Sequence, residues 1–142
     1  MVQVTYPVAV ALSSKRSRSL PKRESFQELM RHWPGSWAGE AADIPVGQQL
    51  VEELRSFVMH LQQQNLSAKT VHQHLNNLWA IGGEIIRAVN DDPVLRKTNP
   101  RVLLLQAIAG GDAPLVSNAT EAQQQSCDAT ARQLLRFLSA QK

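Results

Sequence analysis

The chain has 142 residues, 43% of them hydrophobic, which is enough for one domain with a buried core. No run approaches the roughly 18 uninterrupted apolar residues of a membrane span, so no membrane partner is expected. A single cysteine, Cys127, excludes an internal disulfide and fits a reducing cytoplasm. The net charge of +3 is unevenly spread. Residues 1–23 hold Lys15, Arg16, Arg18, Lys22 and Arg23 and no acid, while the remainder has ten Lys or Arg against twelve Asp or Glu. The basicity belongs to one end of the chain rather than to a basic globule.

Residues 2–12 alternate, with Val2, Val4, Tyr6, Val8, Val10 and Leu12 on one side, the period of a strand. Pro7 would confine such a strand to an edge, and no second strand offers itself. The segment reads either as disordered alone or as a strand added to another chain. No basic residue precedes it and the positive charges follow it, which is the wrong order for a secretory signal, so none is expected. Ser13 to Arg23 is a basic, serine-rich linker: a solvated hinge, or an arm that tracks phosphates by counterion release. Together, residues 1–24 form an extended and basic lead-in.

Residues 25–43 form a second unit. Ser25 and Glu28 have the spacing of a capping box that opens a short helix from Phe26 to His32. Pro34 and Gly35 end it. Trp33 and Trp37 read as anchors folding this piece onto the core, or else as base-stacking platforms or a docking point for a partner or a second copy.

Residues 44–142 carry the main helices. Leu50, Leu54, Phe57, Val58 and Leu61 recur at three- and four-residue spacings, as do Val71, Leu75, Leu78, Gly82, Ile85 and Val89. Ser67 stands where an N-cap belongs between these two amphipathic helices, and a connection this short makes them neighbours. Gly82-Gly83 inside the second helix costs roughly 1 kcal/mol per residue against alanine. Close packing against another helix is the first explanation and a kink the second. Asp92-Pro93 and Asn99-Pro100 each resemble a cap followed by proline. They predict a short turn and then a helix from Arg101 to Ala109, apolar nearly all round and so the most buried element, closed by Gly110-Gly111. Asn118 and Glu121 suggest a capping box for a last helix to about Ala140. That helix has Cys127, Thr130, Ala131, Leu134, Phe137 and Leu138 on one face, with Asp128, Arg132 and Arg136 on the other.

The run Leu54-x-x-Phe57-x-x-x-Leu61, then Asn65-Leu66-Ser67-x-Lys69-Thr70-Val71-x-x-x-Leu75-x-x-Leu78, resembles the N-terminal core-binding domain of tyrosine recombinases and phage integrases, a SAM-like helical fold. The resemblance covers about 40 residues. It implies an all-α bundle of four main helices that grips one side of double-stranded DNA, here preceded by an extended segment and a short helix. In that family cleavage belongs to a separate C-terminal domain with a nucleophilic tyrosine, arginines and histidine. The only tyrosine here, Tyr6, does not match that role.

No catalytic set emerges from the residues, and no cofactor is expected. His72 and His74 fall about 200° apart around a helix, so they are not a metal pair. His32 and His60 have no ligand-type neighbours at helical spacing. Cys127, on an apolar face with no adjacent base, reads as a buried structural thiol. A binding surface has more support. With Val71 set at the centre of the buried face, Lys69, Gln73, Asn76, Gly83 and Arg87 lie within about 60° of the opposite direction. Amides and bases in one stripe can read base edges and hold phosphates; the alternative is an ordinary solvated face. Arg132 and Arg136 are secondary candidates, discounted because Asp128 can pair with Arg132. The basic residues Lys15, Arg16, Arg18, Lys22 and Arg23 would add sequence-independent affinity. The expectation is a non-catalytic DNA-binding accessory or regulator of a mobile element. The alternative is a protein-interaction module using residues 2–12 or Trp33 and Trp37.

Overall fold

The computed structural model describes the backbone of residues 22–141 and the side chains of residues 26–141. The alternating segment 2–12, with Lys15, Arg16 and Arg18, lies outside the described residues. In chain order the structure has α1 (Lys22–Met30), α2 (Trp33–Trp37), a 3-10 turn (Ala41–Asp43), α3 (Ile44–Gln63), α4 (Ala68–Asp91), a second 3-10 turn (Pro93–Lys97), α5 (Pro100–Ala107) and α6 (Glu121–Ala140). Among the described residues there is no strand, and the architecture is a small all-α bundle.

The turn at 64–67 sets the arrangement. Ser67 is extended (φ −67°, ψ 156°), and its Oγ accepts from the Thr70 amide at 3.1 Å, which is the predicted cap. The reversal lays α4 beside α3, and their apolar stripes meet: Leu50, Leu54, Phe57, Val58 and Leu61 against Val71, Leu75, Leu78, Ile85 and Val89. α6 packs along α4, and α5 packs on α3 and α4.

The Trp-bearing piece belongs to this same core. Trp33 and Trp37 are 1% and 9% exposed, with ring centroids 5.8 Å apart, and α2 packs on both α3 and α4. Gly82 is explained by close packing and not by a kink, since α4 runs unbroken. A Cβ at Gly82 would stand 2.3 Å from Cζ2 of Trp37, well inside the non-bonded contact distance of two carbons. The Trp37 Nε1 then donates to the Trp79 carbonyl at 2.9 Å, so glycine lets the indole lie on the helix backbone.

Four expectations are corrected. α1 begins at Lys22 rather than after Ser25, because Arg23 and Glu24 are ordinary helix formers and nothing stops the helix there. α5 ends at Ala107, and its Val102 is 42% exposed. It lies at the edge of the bundle, so only Leu103 and Leu104 within it are buried. α4, with ten buried residues, is the more enclosed element. Gly111, at φ 81°, makes the turn after α5 but lies beyond the helix end. α6 is capped by Thr120, whose Oγ1 accepts from the Gln123 amide while Gln123 Oε1 accepts from the Thr120 amide. Asn118, at φ 64°, instead bends the chain two residues earlier, a conformation asparagine tolerates.

Asp43 ties three pieces together. Its fully buried carboxylate accepts from the amides of Gly39 (2.9 Å) and Glu40 (3.1 Å), from Asn90 Nδ2 (3.0 Å), and from Arg96 Nε and Nη2 (3.2 and 3.0 Å). Burial alone would raise its pKa. The Gly39 amide, the Arg96 guanidinium, the Glu40 amide and Asn90 together outweigh that and hold the carboxyl below its ordinary 3.8.

Candidate nucleic-acid interface

α6 docks on α4 through a polar seam. Asn77 is 3% exposed, and its Nδ2 donates to the Ser126 carbonyl (3.1 Å), Ser126 Oγ (2.9 Å) and Thr130 Oγ1 (2.9 Å). The Cys127 thiol donates to Asn77 Oδ1 at 3.4 Å, so this buried sulfur is a structural thiol. His74 Nδ1 lies 2.8 Å from Thr130 Oγ1, and partial burial lowers the pKa of its imidazole. A buried amide with all these partners fixes the register of two helices in a way an apolar contact does not.

That seam, with the segment 113–119, divides the predicted stripe on α4. Lys69 is exposed and makes no ion pair with a described residue. Gln73 is exposed, but its Nε2 donates to Ser126 Oγ at 3.1 Å. The Oδ1 of Asn76 is shut away from solvent with no partner, so it is not presented to a groove. Ala80, in the middle of the stripe, is buried beneath Val116 and Cys127. Beyond it, Gly83 and Arg87 line a cleft, with Arg87 Nε 3.5 Å from Glu84 Oε1. The structure therefore does not assemble Lys69, Gln73, Asn76, Gly83 and Arg87 into one continuous face. Residues far away in sequence cover the centre of the stripe, and periodicity within α4 carries no sign of them.

Arg132 and Arg136 fare differently. Both are exposed on the outward side of α6, and neither makes an ion pair or hydrogen bond with a described residue. The expected Asp128–Arg132 pairing does not form. Asp128 Oδ1 instead accepts from the Ala113 amide at 3.0 Å and Gln124 Nε2 at 3.2 Å, turned toward the preceding loop. Exposed Gln125 shares the outward side, two turns before Arg132, with the small Ala129 between them at helical spacing. Gln125 is not among the residues that the sequence reading selects, although its spacing to the two arginines is legible there. By contrast Arg31, Arg55, Arg87, Arg96 and Arg101 are all engaged with carboxylates.

Lys22 and Arg23 open α1 instead of ending a linker. Trp33 and Trp37, being buried, are neither base-stacking platforms nor a free docking surface. Among the described residues no group of three His, Cys, Asp or Glu could hold a metal ion, and no helix is long and apolar enough to cross a membrane. No family model matches this chain, and neither a curated protein nor a solved structure matches it.

Proposed function

We propose that this protein is a non-catalytic module that binds double-stranded DNA through the outward face of α6, aided by the basic residues Lys15, Arg16 and Arg18 that precede α1 in sequence. The observation that carries the reading is the stripe of Gln125, Arg132 and Arg136. All three are exposed, and the two arginines have no acidic partner, while five arginines elsewhere are paired. An unpaired guanidinium keeps all its donors for phosphate or a guanine edge, and a glutamine amide can bond adenine. Ala129, in the middle of the stripe, has no long side chain to hold a duplex away from the helix. A helix fits a major groove about 12 Å wide. The likeness of the α3–α4 hairpin to the core-binding domain of tyrosine recombinases supports the same reading and suggests an accessory or regulator of recombination.

The test is fluorescence anisotropy of a labelled duplex titrated with the full chain. Three proteins are compared: the native chain, Arg132→Ala/Arg136→Ala, and Lys15→Ala/Arg16→Ala/Arg18→Ala. Both variants should bind more weakly at low salt, the first losing roughly 1–3 kcal/mol if either arginine reads a base. An α6 variant that binds like the native chain would remove α6 from the interface. A chain that binds no duplex at low salt would remove the reading altogether.

A further inference from the structure

The close packing that explains Gly82 does not explain Gly83. A Cβ at position 83 would meet Trp37 Cδ1 at 3.4 Å and Nε1 at 3.6 Å, ordinary van der Waals distances. Alanine there would fit and would favour the helix. What glycine does keep open is a cleft of about 370 Å³ between α2, α4 and residues 116–118, which Gly83 lines. That is the small end of the size range of ligand pockets, enough for one nucleoside-sized group.

The lining has the parts of a site for a flat heterocycle. Trp79 supplies aromatic surface and is held in place: its Nε1 donates to Ser36 Oγ at 2.9 Å, and its carbonyl accepts from Nε1 of the buried Trp37. A ring fixed beforehand loses little freedom when a ligand stacks on it. Glu84, its side chain only 15% exposed, lines the same cleft. Its Oε2 accepts from the Ser117 amide at 2.9 Å, whereas Oε1 has only the long 3.5 Å approach of Arg87. A carboxylate offers about four acceptor positions, so Glu84 retains unused capacity beside the indole. Arg87, at 63% side-chain exposure, lines the same cleft and supplies a cation for a phosphate.

We infer that this cleft binds a single planar nitrogen heterocycle with adjacent N–H donors, of which guanine is the type: the base is held by Glu84 against Trp79, and Gly83 leaves it room. The base can come from a free nucleotide or from an unpaired position in a nucleic-acid strand. The inference does not rest on the α6 surface.

The experiment is tryptophan fluorescence titration of the full chain with GMP and AMP, repeated on Gly83→Ala and Glu84→Gln. The glutamine can still accept from the Ser117 amide, so this variant tests recognition while sparing the loop. GMP should saturate, with AMP at least about tenfold weaker, and each substitution should weaken GMP by about tenfold or more. Duplexes with and without one unpaired guanosine distinguish the source: a preference for the unpaired site points to a strand, and indifference to a free nucleotide. Arg132→Ala/Arg136→Ala should bind GMP normally, which separates this site from the DNA surface. No saturation by GMP or by the unpaired guanosine, equal affinity for AMP, or unchanged GMP binding in Glu84→Gln would each overturn the inference.

Discussion

Gly82 and Gly83 are adjacent and chemically identical, yet the structure gives them opposite roles. Gly82→Ala forces a methyl group into the Trp37 indole and should destabilise the fold by about 1–3 kcal/mol, as overpacking does. Gly83→Ala should be neutral or stabilising by up to about 1 kcal/mol, because the methyl finds room and the helix gains propensity. Paired urea denaturations measure both; equal losses would mean that Trp37 does not lie on the helix as described. His74 gives a second residue-level expectation. Its pKa is lowered in the fold, so between that value and the ordinary 6.5 the unfolded chain binds the proton more readily. The contribution is therefore complete above about pH 6.5 and declines as pH falls through the folded value. His74→Gln should flatten this part of the pH–stability curve; an unchanged slope would assign it to other groups.

At the scale of elements, the helical hairpin was legible because each of its causes is local. The three- and four-residue spacing and the cap at Ser67 both sit inside the segment they shape. Tertiary causes were not legible. Ala80 has the helical spacing of the stripe from Lys69 to Arg87, yet Val116 and Cys127, more than thirty residues away, cover it. The same holds for Asp43, which on sequence is one residue of a connection and in the structure joins residues 39–43 to α4 and the 93–97 turn. Because its pKa is depressed, its contribution is present above about 3.8 and disappears as pH falls through the folded value. Asp43→Asn should therefore lower the thermal midpoint at neutral pH, and the gap to the native chain should close in strong acid. A gap that persists below the folded pKa would show that the carboxylate's charge is not what matters.

For the molecule as a whole, charge is segregated more than the net +3 suggests. Most arginines of the bundle are held by carboxylates, which leaves Arg132 and Arg136 on one outer helix and the basic arm in sequence before it. Such a layout suits a scaffold whose interior contacts are settled and whose last helix is offered outward. In the proposed reading the DNA-facing surface is therefore on α6 rather than on α4, where spacing alone places it; a pairing of Arg132 with Asp128 would have cancelled it. What frees Arg132 is the pair of hydrogen bonds that Asp128 accepts from the Ala113 amide and Gln124 Nε2, of which the first crosses to a loop that periodicity does not show.

The claim that α6 faces DNA is tested most directly by the salt dependence of duplex binding. For each phosphate contact, the slope of log affinity against log salt changes by roughly 0.9. If Arg132 and Arg136 each hold a phosphate, Arg132→Ala/Arg136→Ala should be shallower than the native chain by about two such contacts, with the helical content unchanged. Identical slopes would place both arginines off the duplex and contradict the account.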